Sequence, residues 1–266
     1  MAPGKTFDPI LEEAASRPLE GWDFSWLATR MVTAPPPWNF EEIVLRLARG
    51  AADLLDLGTG GGERLAAILH RPPRTVATEA WAPNVEVASR LLRPLGVTVV
   101  RVEGAADNVE QTANETRGHL PFAAESFELV TNRHEAFVAT EVARILTPGG
   151  RFVTQQLGGE YEQLYRLLDL PVPRSPRRRW TLGTAIEQVQ GAGLDVAASG
   201  SAHEITTFTD VGALAWYLRA VPWAVPSFSI VRDRARLASL HARIAADGPV
   251  SIRQPAFWLE AVKAPD

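Results

Sequence analysis

Between residues 53 and 63 an apolar strand pattern runs straight into a cluster of glycines: Asp53-Leu54-Leu55-Asp56-Leu57-Gly58-Thr59-Gly60-Gly61-Gly62-Glu63. Glycine lets the backbone take positive φ and lets another molecule approach without a Cβ in the way. A turn of this kind, closing one strand and opening a helix, suits a parallel sheet. There, right-handed crossovers bring the carboxyl ends of the strands to one edge, where ligands bind. The chain keeps that rhythm. Strands expected at Arg74–Glu79, Val97–Val102, Phe127–Thr131 and Arg151–Gln155 alternate with helices expected at Phe40–Arg49, Glu63–Leu69, Pro83–Leu92 and from the fourth strand to about Leu146. Thr147-Pro148-Gly149-Gly150 predicts a sharp turn before the fifth strand. The pattern is that of an α/β fold, a Rossmann-like, doubly wound and mostly parallel sheet.

Two regions depart from the rhythm. Residues 1–39 read as an N-terminal helical extension, with helices over Phe7–Ser16 and Trp22–Met31 ended by Pro35, Pro36 and Pro37. Residues 40–266 read as the main domain. Helices are expected at Tyr161–Leu168 and Thr181–Gly191, on either side of a Pro/Arg-rich connector. A sixth strand falls within Leu194–Phe208 and a last one at Ala256–Val262. Between them a helical pair, Val211–Val221 and Arg232–Ala246, forms a cap insertion at about residues 203–250.

Composition narrows the function. The 266 residues are 46% hydrophobic, enough to fill the core of one sizeable domain. With no cysteine, the chain has no disulfide, no thiolate nucleophile and no Cys-ligated metal. A net charge of −4 argues against a protein whose main task is gripping phosphate backbones. No basic stretch followed by an apolar run opens the chain, and no apolar run is long enough to cross a bilayer. A cytoplasmic protein without a membrane partner is expected. No acidic or histidine cluster has metal-binding spacing, so no metal is expected.

The glycines are spaced G-x-G-x-G, and Glu63 stands where a dinucleotide fingerprint has its third glycine. A carboxylate there opposes a pyrophosphate. A ligand without phosphate, carrying positive charge, tolerates both Asp56 and Glu63. Glu79 closes the next strand, where a carboxylate can accept from both ribose hydroxyls of a nucleoside ligand.

The stretches LLDLGTGGGE, VATE, LPF…SFELV and LTPGGRF, in that order over roughly residues 40 to 157, resemble the class I S-adenosylmethionine-dependent methyltransferases. The resemblance implies S-adenosyl-L-methionine as cofactor and S-adenosylhomocysteine as its product. It places the methionine end at Gly58, Gly60 and Gly62, with Asp56 beside it, and the ribose at Glu79. Asp107 is either the adenine contact or the cap of a helix through the polar insert Asn108–His119. NRHEAF followed by TPGGRFVTQQ also resembles a poorly characterised bacterial subgroup of these enzymes.

Reacting groups are expected at the end of the fourth strand, Thr131-Asn132-Arg133-His134-Glu135. His134 is the candidate general base, because its ordinary pKa lies near neutrality. The bland alternative is a hydrogen-bonded residue at a helix start. Glu135 can orient His134, bind a cationic substrate, or simply favour a helix N-terminus. Asn132 can hydrogen-bond substrate or cofactor. Gln155 and Gln156 end the fifth strand on the same edge. Aromatic clusters near Trp22, Trp26 and Trp38 and near Trp216, Tyr217, Trp223 and Phe228 form either a lid over a flat or apolar substrate or the core of a cap. The run Arg174–Arg179 can grip RNA or lie solvated. The expectation is methylation of a small aromatic or apolar metabolite. An rRNA or tRNA methyltransferase and a SAM-binding protein without methyl transfer are the alternatives. Nucleic acid is an unfavoured partner, and exposed aromatics offer a surface on which two copies could pair as a homodimer.

Overall fold

A computed structural model describes residues 6–19, 24–109, 117–159, 161–175 and 179–265. In chain order the elements are α1 (Phe7–Ser16), β1 (Met31–Ala34), α2 (Phe40–Ala48), β2 (Asp53–Leu57), α3 (Glu63–Ala67), β3 (Arg74–Glu79), α4 (Ala82–Leu92), β4 (Thr98–Arg101), β5 (Phe127–Arg133), α5 (Ala139–Ile145), β6 (Leu146–Leu157), α6 (Glu162–Leu167), α7 (Leu182–Gly191), β7 (Leu194–Phe208), α8 (Val211–Ala220), α9 (Arg234–Asp247) and β8 (Val250–Lys263). They form two compact units. One comprises residues 36–159, 176–202 and 255–266, the other 1–35, 160–175 and 203–254.

In the larger unit the strand order is β7-β8-β6-β5-β2-β3-β4. Pairs β4–β3, β3–β2, β2–β5 and β5–β6 are parallel, and β8 runs antiparallel to β6. From β2 the chain winds outward to β3 and β4, then returns to β5 on the other side, so the topological switch lies beside β2. Both faces of these strands are covered. Leu54, Leu129 and Val153 join one core with Phe40, Val44, Ala88 and Leu92. Their chain neighbours Leu55, Val130 and Phe152 join the other with Phe137, Val142, Val189 and Phe257. The two-residue side-chain period thus sends consecutive apolar residues to opposite layers, which is why these strands read as continuous apolar runs.

Glu260 on β8 is buried, and Arg46 and Arg151 both pair with its carboxylate. Capping is local. Asn39 accepts from the N–H of Glu42 at the start of α2, and Thr181 and Thr184 make a reciprocal capping box at α7.

The smaller unit packs α1 against α8, and α8 against α9. β1 pairs antiparallel with the last residues of β7. Phe24 and Trp26 pack on Trp216, with ring centres 5.7 and 5.6 Å apart, and Phe208 packs on Tyr217. Trp216 is 3% exposed, so these aromatics are core. Trp223 is exposed at the surface, and Trp22 lies outside the described residues.

The structure corrects the sequence reading in several places. No helix covers the described part of residues 22–31. A single 3-10 turn spans Ser25–Leu27, and Met31 opens a strand whose partner lies far along the chain at Phe208. The Thr147–Gly150 turn sits inside a continuous strand. There the β5–β6 register moves from Phe127↔Leu146 to Leu129↔Arg151, and Gly149 takes φ +75°. The last strand begins earlier than Ala256, at Val250.

Arg30 is buried beneath the Trp26 ring, and Asp210 holds it bidentately at 2.7 and 2.5 Å. The same carboxylate caps α8 by accepting from Ala213 N–H. Asp210→Ala would leave the buried Arg30 only its longer pair with Glu13, at 3.9 Å, and uncap the helix. It is expected to cost about 3–5 kcal/mol of stability in urea unfolding. A loss below about 1 kcal/mol would mean that the pair does not hold this unit.

Candidate active site

The carboxyl ends of β2, β3, β4 and β5 meet at the switch point and enclose a cleft. Its lining includes Gly58, Thr78, Glu79, Val102, Gly104, Leu120, Glu135 and Phe137. Three short loops build it, and each is held by identifiable bonds.

The loop after β2 carries Gly58, Gly60 and Gly62 at φ +68°, +63° and +87°. All three lie in the left-handed region, which is why the spacing needs glycine there. A Cβ at Gly62 would come within 2.8 Å of Leu92. The loop is anchored to β3: Gly58 N–H donates to Thr78 Oγ1, Thr59 N–H to Thr78 O, and Gly60 N–H to Glu79 Oε2 at 2.8 Å. The other Glu79 oxygen accepts from Trp81 N–H, also at 2.8 Å. A carboxylate offers about four lone-pair sites, so Glu79 keeps acceptor capacity toward the cleft.

Asp56 closes β2 and accepts from Thr131 Oγ1 at 2.7 Å. Burial raises its pKa, against the hydrogen bond from Thr131. Asp107 turns onto its own loop, accepting from Val109 N–H, and is not part of the cleft lining. Residues 110–116 of the polar insert lie outside the described residues, and with them the expected helix.

Near the end of β5, Asn132 is fully buried. Its Oδ1 accepts from Thr154 Oγ1 at 2.8 Å and from Gln156 Nε2 at 2.6 Å, and Gln156 Nε2 also donates to the carbonyl of Glu135. Asn132 thus braces the loop from beneath, while its Nδ2 is buried without a partner among the described residues. His134 follows at φ +64°, a strained conformation for a residue with a Cβ. Its backbone N–H donates to Gln155 O. Crowding by protein atoms, then the cations Arg133 and Arg64, disfavour protonation of the ring, and solvent exposure of the side chain limits that effect. The imidazole is therefore disposed to be neutral, and the same effects lower its basicity.

Glu135 points into the cleft. Burial, then the charge of Glu79, pushes its carboxyl up to about 7. Of the expected site residues, the structure brings Gly58, Glu79 and Glu135 together in the cleft lining.

Three contributions had no clear sequence signal. Thr78 latches the glycine loop. Trp81 is 50% exposed beside Glu79. Trp38 donates its indole N–H to Gln155 Oε1 at 2.8 Å, which fixes the end of β6. Gln155 and Gln156 are buried braces. Among the described residues, no group of three or more His, Asp or Glu is placed to hold a metal ion.

Three left-handed glycines, Glu79 and the cleft thus meet at the switch point of a Rossmann-like sheet. Residues 55–154 match the family model described as a methyltransferase domain. Over that stretch the chain is similar to a methyltransferase domain. Solved structures share the fold. A candidate methyltransferase from Bacillus halodurans is 19% identical with a TM-score of 0.57, covering 85% of this chain and 97% of its own. The YcgJ protein of Bacillus subtilis is 19% identical with a TM-score of 0.55, covering 85% and 98%. The [4+2]-cyclase SpnF is 14% identical with a TM-score of 0.51, covering 97% and 93%. No curated protein matches the sequence.

The raised Glu135 pKa has a stability consequence. The folded state holds this proton between about pH 4.5 and 7 while the unfolded state has lost it, so stability falls as pH rises through that window. The ceiling is about 3.5 kcal/mol, at about 1.4 kcal/mol per pKa unit. Glu135→Gln removes the titration. In urea unfolding, the variant is expected to gain on the wild type between pH 5 and pH 8. Parallel curves would contradict the assignment.

Proposed function

We propose that this chain transfers the methyl group of S-adenosylmethionine to an O, N or C atom of a small aromatic or apolar metabolite. The observation that carries the cofactor part is the pairing of three left-handed glycines with Glu79, whose carboxylate fixes the loop and still has lone pairs for ribose hydroxyls. Val102, Ala105, Leu120 and Phe137 offer apolar surface for an adenine ring. Bound there, the sulfonium supplies an activated methyl group for in-line displacement.

The chain's own residues do the rest. Glycine backbone admits the ligand closely, Glu79 orients the nucleoside, and the bracket of Asn132, Thr154 and Gln156 holds the loop after β5. Much of the rate in such a transfer comes from alignment. His134, neutral and reached by solvent, serves as the base when the acceptor must lose a proton. The acceptor class rests on composition: a net charge of −4 favours an uncharged molecule over a polyanion. Among the described residues no helix is long and apolar enough to cross a membrane. The arginine run that would favour RNA lies partly outside the described residues, at Arg177 and Arg178.

Calorimetric titration with S-adenosylmethionine, S-adenosylhomocysteine and NAD, side by side, tests the reading. Binding of the first two and not the third is expected, and NAD alone would overturn it. Glu79→Gln removes a charged acceptor and is expected to weaken binding about 10- to 100-fold, since hydrogen bonds to charged groups contribute about 1.5–3 kcal/mol. Unchanged affinity would move the ribose site elsewhere. Binding to total RNA at low salt would replace the metabolite acceptor with RNA.

A further inference from the structure

Glu135 fills space that two glycines leave open. A Cβ built on Gly58 would meet the Cβ and Cγ of Glu135 at 2.6 Å, and one on Gly104 would meet its Oε1 at 2.3 Å. The side chain is threaded between the backbones of two loops whose lack of side chains otherwise makes room for a ligand. The room it leaves is about 30 Å³, enough for about two water molecules and far short of a nucleoside.

The attachment of Glu135 suits displacement. Residues 135–138 lie between β5 and α5 without regular structure. The loop backbone is tied by His134 N–H to Gln155 O and by Gln156 to Glu135 O, whereas among the described residues no hydrogen bond holds the Glu135 carboxyl. The charged and titratable groups on the surrounding elements include Asp56 near the end of β2, Glu79 at the end of β3, Arg101 at the end of β4, Glu103 and Asp107 after it, Arg117 and His119 beside Gly118, Glu141 on α5, Arg133 at the end of β5 and His134 on its own loop. Glu79 presses on the Glu135 carboxyl most directly.

Resting on the cofactor reading above, we infer that Glu135 is a built-in plug of the cofactor cleft, which the nucleoside must displace from between Gly58 and Gly104 in order to bind. The plug is held best when protonated, because its ionised form faces Glu79. Once displaced, the carboxyl returns to water and to an ordinary carboxylate pKa. Binding below neutrality therefore releases the Glu135 proton, and affinity rises with pH until the plug is ionised in the free protein as well.

The test is calorimetry of S-adenosylhomocysteine on the full chain and on Glu135→Ala and Glu135→Gln, between pH 5.5 and pH 8. For the wild type, affinity is expected to rise at least ten-fold over this range. The enthalpy at pH 6 should vary with the buffer's ionisation heat by about one released proton. Glu135→Ala should bind at least ten-fold more tightly than wild type at pH 6, with no pH trend and no proton release. Glu135→Gln, a neutral plug of the same shape, should also lose the pH trend. Equal affinities with a shared pH trend would overturn the plug while leaving the cofactor reading intact. Weaker binding by Glu135→Ala would overturn it too, making Glu135 a ligand of the nucleoside. If wild type and both variants fail to bind at every pH, the cofactor reading falls, and the plug with it.

Discussion

The bidentate use of Glu79 is the interaction on which the site depends. One carboxylate gathers the N–H of Gly60 from the loop after β2 and the N–H of Trp81 from the turn after β3. Hydrogen bonds to an ionised acceptor are stronger than neutral ones, and here they tie two loops together. The parallel pairing of β2 with β3 sets the carboxylate at the right height: Asp56 lies opposite Ala77, so the strand ends of Leu57 and Glu79 reach the same edge. A sheet buried on both faces makes that register stiff, since a one-residue slip would exchange the two core layers.

The cleft is acidic. Glu79 and Glu135 line it, Asp56 lies near the end of the neighbouring β2, and among the described lining residues there is no Lys or Arg. Such a site suits a ligand that brings positive charge and resists a pyrophosphate. The electrostatics and the glycine spacing thus agree, although one is a property of the fold and the other of a short run of sequence.

Much of the central architecture was legible in the sequence, because its signals are local. Apolar runs mark strands covered on both faces, and positive φ at Gly58, Gly60 and Gly62 follows from the residue type. What the sequence hid is non-local. Met31, read as the last residue of a helix over Trp22–Met31, instead opens a strand that pairs with β7 some 170 residues later, and a tertiary partner outweighs a short segment's propensity. Trp38 looks like part of an aromatic extension but serves as a hydrogen-bond donor to Gln155. Asn132 looks like a ligand-facing residue because it ends a strand, but its carbonyl oxygen is spent on Thr154 and Gln156. Glu135 reads as a first-turn acidic residue, and only the loop's path between Gly58 and Gly104 reveals where its carboxyl goes.

The most direct test of the whole account is a crystal structure of the full chain grown with S-adenosylhomocysteine. The account predicts the ribose hydroxyls on Glu79, the nucleoside lying between Gly58 and Gly104, and the Glu135 side chain moved out of that gap. A nucleoside bound elsewhere on the molecule, or one bound at Glu79 with Glu135 still threaded between the two glycines, would contradict it.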